Sequence, residues 1–199
     1  TLRQALRDYR FWFMAVGLFF CSGLLTGMVT NLVPLLQERG NSASDAAMIA
    51  AVFGVAVIIG RIAVGFLLDR FWAPLVGASL MFPAALAAVA LALLDPGMTA
   101  CIIIVFIAGL AGGAEVDLMA FLTARYFGLR EFGRIFAGVY IAFALGPGVL
   151  VVVFGRLRDL SGSYQSGLLA SAAGIALFGA LLLCLGPYPS STTPAARTK

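Results

Sequence analysis

Six stretches of the chain run almost without charge, each long enough to cross a lipid bilayer, and that pattern leaves few folds open. A hydrocarbon core about 30 Å thick takes roughly 20 apolar residues at about 1.5 Å each. The stretches fall near 11–36, 45–68, 72–94, 98–124, 132–154 and 164–185. Inside a bilayer every backbone N–H and C=O must be bonded within the protein, so these spans are expected to be helices. A β-barrel would need short alternating strands, whereas these runs are continuous and rich in Leu and Ala. With 62% hydrophobic and 11% charged residues at mean hydropathy +1.04, polar surface could not cover a soluble core of this size. The expected fold class is an all-α membrane protein.

The runs are written as one unit repeated. Gly65-Phe66-Leu67-Leu68-Asp69 closes the second run, and its Gly-x-Leu-x-Asp pattern returns ninety positions later in Gly155-Arg156-Leu157-Arg158-Asp159. The two units would span 11–94 and 95–186, divided at the turn Asp95-Pro96-Gly97. Three spans per unit is an odd number, so the second copy is inverted in the membrane. Inverted repeats of this kind mark secondary transporters, which move one half against another around a midplane site. Residues 1–10, with Arg3, Arg7 and Arg10, read as a lead-in on the cytoplasmic side, and 187–199, rich in Ser, Thr, Pro and Ala, as a disordered cytoplasmic tail. With both termini inside, nine Arg and Lys fall in inner segments and three in outer ones, which fits the positive-inside bias of an integral membrane protein.

Charges within the spans are the candidates for function. Arg61 lies eight residues before Asp69, about 12 Å inside its helix end, too deep to snorkel easily. A charge at that depth faces a cavity or a partner carboxylate. Glu115 and Asp117 follow the small-residue run Gly109-Leu110-Ala111-Gly112-Gly113-Ala114 in the fourth span, near the midplane. They point about 200° apart on a helix, so one could be a proton site and the other a pair-former, or both could be structural partners of arginines. Gly17, Gly23 and Gly27 allow close helix approach, Asn31 and Pro34 suggest a bend, and Ser44 or Asn41 could cap the second helix. In the fifth span Gly146-Pro147-Gly148 should bend the helix, and residues 155–164 read as an outer loop.

Gly65-Phe66-Leu67-Leu68-Asp69-Arg70-Phe71 resembles the loop signature of the major facilitator superfamily, with Trp72 and Ala73 in place of its last glycine and basic residue. Glu115, Asp117, Arg125-Tyr126-Phe127-Gly128, Phe132-Gly133-Arg134 and the run from Gly155 to Tyr164 resemble the carboxyl-terminal half of bacterial facilitators related to the oxalate/formate and monocarboxylate transporters. The resemblance implies half of a facilitator fold, six helices in two inverted three-helix repeats, with an amino-terminal six-helix half as the missing partner. It implies further that Arg61 contacts a substrate carboxylate and that Gly65, Asp69 and Arg70 form a gating loop. Val57 stands where the monocarboxylate carriers place an aspartate, and 132–154 has no lysine where the oxalate exchangers carry one.

Other classes are disfavoured. The chain has no histidine, which removes the usual base of serine chemistry and the commonest metal ligand, so an enzyme is not expected. Cys21, Cys101 and Cys184 sit in apolar runs without metal-ligand spacing, and neither metal nor cofactor is expected. The basic residues are scattered over loops, so the partners expected are lipid and a small-molecule solute, not nucleic acid. The expectation is secondary transport of a small organic solute, foremost an anion such as a monocarboxylate, by alternating access that could be coupled to protons, in a bacterial inner membrane. An exporter of cationic or hydrophobic compounds, with Glu115 facing the substrate, and a non-transporting membrane subunit stay open as alternatives.

Overall fold

The computed structural model describes residues 2–189, and among these the elements are all helices: α1 (Leu2–Ala5), α2 (Tyr9–Thr30), α3 (Leu32–Glu38), α4 (Ala43–Arg70), α5 (Ala73–Leu93), α6 (Met98–Phe127), α7 (Phe132–Ser161) and α8 (Gln165–Leu183). Six of them, α2 and α4 to α8, are long and apolar enough to cross a membrane. Of the tail expected to be disordered over 187–199, the start is ordered, because Tyr188 packs on Tyr126 and accepts from Ala73 N, while 190–199 lie outside the described residues.

Local chemistry explains where the helices stop. The first apolar run breaks at Asn31, whose φ of −97° and ψ of 4° interrupt the helix. Its side chain donates back to Gly27 O at 2.8 Å, and Pro34 enters the first turn of α3, where its missing N–H costs nothing. Ser42, not Ser44 or Asn41, caps α4: it is extended and its Oγ accepts from Asp45 N at 3.1 Å. Asn41 instead closes α3 by donating to Leu36 O at 2.9 Å. The expected loop over 155–164 is mostly helix, because nothing breaks α7 before Gly162, which takes the left-handed conformation at φ 68°. At 30 residues α7 is about 45 Å long, so its end carries Arg156 and Arg158 clear of a 30 Å core. Arg158 there meets Glu38 of α3 at 2.5 Å. Cys184 is exposed, while Cys21 and Cys101 are buried.

The spans pack as an interleaved bundle. α2 packs on α7 and α8, α6 packs on α4 and α5, and α5 meets α8. Exchanging α2 with α6, α4 with α7 and α5 with α8 maps this set of neighbours onto itself, as two inverted three-helix repeats require. α4 and α7 stand on the outside, each burying one stripe: Ile49, Ala56, Gly60 and Val64 on α4, and Ile135, Val139, Gly146 and Leu150 on α7. Their other faces expose Ile58, Ile62 and Phe66, and Ile141, Leu145 and Val152.

The α2–α7 contact depends on two glycines. A methyl group on Gly23 would stand 2.5 Å from Gly146 O, and one on Gly146 would stand 2.7 Å from Ser22 Oγ. Pro147 lies one residue further, inside α7, and has no N–H to give to the carbonyl of Phe143. Ser22 of α2 fills that vacancy, donating to Phe143 O at 2.9 Å. Gly148, by contrast, has open space where a side chain would go. Ser22→Ala is therefore expected to destabilise the bundle by about 0.6–1.7 kcal/mol, the range of interhelical hydrogen bonds in membranes, and Gly146→Ala by more, with Gly148→Ala neutral. Unfolding of the three variants in detergent checks that order.

Candidate functional site

The α4–α6 pair is built like its counterpart. A methyl group on Gly60 of α4 would stand 2.5 Å from Leu110 O of α6, and one on Gly113 would stand 3.1 Å from Arg61 N. Only glycine lets the two backbones come this close. Arg61 leaves α4 beside the contact, and Asp117 leaves α6 one turn after Gly113.

The two side chains meet at the rim of a groove of about 590 Å³ between α4 and α6. Arg61, Gly65 and Asp69 follow one another at helical spacing along the α4 wall, with Phe66 beside them, and Asp117 and Phe121 form the α6 wall. Arg61 Nε lies 3.9 Å from Asp117 Oδ2, and the side chains are 54% and 42% exposed. That is a long, open ion pair whose terminal guanidinium nitrogens keep their donors free for another acceptor.

Glu115 is elsewhere. It is 4% exposed, lies beside the Cys21 thiol of α2, and its Oε1 is buried without a hydrogen-bond partner. Arg61 and Glu115 thus share no cavity. The rotation of α6 that presses Gly113 against α4 sends Asp117 to the groove and Glu115, about 200° away, into the bundle. Gly65, Asp69 and Arg70 form no loop, because α4 continues unbroken to Arg70. Asp69 and Arg70 are exposed on its last turn, with no ion-pair partner among the described residues, and a side chain at Gly65 would meet open space. Gly146 and Pro147 belong to the α2–α7 contact, Gly148 faces open space, and none of the three lines this groove. Among the described residues no three His, Cys, Asp or Glu side chains gather as a metal site.

Sequence reasoning overlooked the aromatic part of the groove. Phe121 follows Asp117 by one turn and Phe66 precedes Asp69 by three residues, and the guanidinium of Arg125 stands 5.6 Å from the Phe121 ring. Those spacings were the available signal.

Six membrane-length helices, two of which line a charged groove, define a polytopic membrane protein. Residues 1–138 match the family model of the Major Facilitator Superfamily, and the chain belongs to that family. The fold is similar to the crystal structure of a variant of the E. coli fucose:proton symporter FucP, with TM-score 0.76 and 18% identity over 94% of this chain and 45% of that one. It is also similar to FucP in the outward conformation, with TM-score 0.73 and 18% identity over 92% of this chain and 45% of that one. The chain therefore spans less than half the length of these structures. No curated protein gives a significant sequence match.

Because Arg61 and Asp117 balance each other, removing one leaves a lone charge among membrane helices. Arg61→Gln and Asp117→Asn are each expected to lower folded yield, by up to about 2.5–3.5 kcal/mol of insertion cost and less in so open a groove. The double variant should recover most of the loss. Yields no better in the double variant than in the worse single one would show that the pair does not matter to folding.

Proposed function

We propose that this chain is the carboxyl-terminal half of a secondary transporter for a small organic anion, such as a monocarboxylate, working by alternating access. The observation that carries the reading is Arg61, a charge within a span that faces an open groove and is only loosely held by Asp117 at 3.9 Å. A substrate carboxylate can take the free Nη1 and Nη2 fork in a bidentate bond, while Asp117 stays on the Nε side as the charge that balances Arg61 in the empty state. Phe66 and Phe121 supply an apolar wall for the carbon skeleton. This agrees with the resemblance to the oxalate/formate and monocarboxylate carriers. It does not depend on the aspartate or lysine that those families carry and this chain lacks.

Glu115 is the proton-coupling group in this reading. Its unpartnered Oε1 lies apart from the groove, so it can exchange a proton without competing for the substrate. Gly65, Asp69 and Arg70 gate: the two charges have no partner among the described residues and await one on an amino-terminal six-helix half. The short fraction of the FucP chain that is matched supports such a half. Gly146, Pro147 and Gly148 bend α7. The repeats divide at 94/95, and both termini face the cytoplasm of a bacterium, at its inner membrane. Burial of Glu115 speaks against the alternative in which that residue faces a cationic substrate.

The test is uptake of labelled small carboxylates into proteoliposomes containing the full-length product of the gene, under an imposed pH gradient. Uptake is expected to fall at least about tenfold in Arg61→Gln, equivalent to roughly 1.4 kcal/mol of lost binding, with partial activity in Arg61→Lys. Glu115→Gln should keep binding while losing the response to the gradient. Equal uptake by wild type and Arg61→Gln, or none by the wild type, rejects the anion assignment.

A further inference from the structure

The chain does not leave the bundle where α8 ends. Gly186, at φ 71°, takes the left-handed conformation open to glycine and turns the backbone across the end formed by α2, α5 and α6. Leu185 is fully buried, and its carbonyl accepts from Arg10 Nε at 2.9 Å. The carbonyl of Gly186 accepts from the Tyr126 hydroxyl at 2.6 Å. The Tyr188 oxygen then accepts from Ala73 N at 2.9 Å.

The bond to Ala73 has a specific consequence. Ala73 is the first residue of α5 and fully buried, its N-cap Trp72 offers no side-chain acceptor, and Pro74 has no N–H. A buried donor at a helix start needs an acceptor, and here it comes from a residue 115 positions away. The Tyr188 ring is itself fixed, 5.0 Å from the Arg125 guanidinium and 5.2 Å from the Tyr126 ring. Only Phe71 and Trp72 separate Ala73 from Arg70, the end of α4. The carboxyl-terminal segment thus holds the far side of the short connection that follows Asp69 and Arg70 at the end of α4.

We propose that Leu185 to Tyr188 form a latch that fixes the α4–α5 loop against α2 and α6, and that breaking the bond between Tyr188 and Ala73 frees the loop to move. The gating consequence rests on the transport reading above, whereas the latch does not. Hydrogen exchange in lipid nanodiscs, with the full-length product of the gene, tests it on peptides covering 69–77 and, for reference, 98–112. Tyr188→Phe keeps the ring between Arg125 and Tyr126 and removes the hydroxyl, so it separates capping from packing. Exchange over 69–77 is expected to rise about threefold to tenfold in Tyr188→Phe and further in Tyr188→Ala, with 98–112 unchanged and the carboxylate transport rate altered in both. Unchanged exchange over 69–77 in both variants, or an equal rise over 98–112, overturns the latch. Faster exchange with an unaltered transport rate overturns its link to gating. Absence of carboxylate uptake by the wild type counts against the transport reading alone, and exchange still decides the latch.

Discussion

Backbone contact between α4 and α6 is the constraint on which the site depends. In a bilayer, lipid tails are as apolar as leucine, so helices gain little by hiding side chains and associate through close packing and polar contacts. Gly60 and Gly113 remove the side chains that would keep these two helices apart. The resulting approach fixes the rotation of both helices at once. It places Arg61 and Asp117 on the same rim of the groove that α4 and α6 line.

The same device recurs at the other side of the bundle. Gly23 and Gly146 bring α2 and α7 together as Gly60 and Gly113 bring α4 and α6, which is the exchange that relates the two repeats. The copies have diverged in what they add to the contact. The α4–α6 pair carries an arginine and an aspartate, whereas the α2–α7 pair carries Pro147 and the serine that satisfies the carbonyl it leaves free. One copy holds charge at a groove and the other holds a helix together around a proline.

The two ends of the bundle are tied differently. At one, Arg158 bonds Glu38 and Arg39 donates to Leu91 O at 2.6 Å, joining α3 to α7 and α5. At the other, the segment after α8 gathers α2, α5 and α6 through backbone carbonyls and one tyrosine. The Arg158–Glu38 pair at the first end is open to water and the Arg39 bond beside it is half-buried, while the bonds at the second end bury a leucine and a helix start. A water-exposed ion pair is weak and readily exchanged, and a buried backbone donor is not.

The number of spans, their approximate limits and their order in two units could be read from the residues, because bilayer thickness and backbone hydrogen bonding act on each segment separately. Arg61, Glu115 and Asp117 could be found for the same reason, since a charge inside an apolar run stands out without any knowledge of its neighbours. Their relations could not. Glu115 and Asp117 are two residues apart, and nothing in their order says which meets Arg61; the packing of Gly113 on α4 makes that choice by setting the rotation of α6. The serine that serves Phe143, and the tyrosine that caps α5 from 115 residues away, depend likewise on which helices lie side by side. Segment chemistry determined that this chain spans a membrane six times with charges inside, and helix contact decided which charge balances which, because rotation about a helix axis is fixed only by its neighbours.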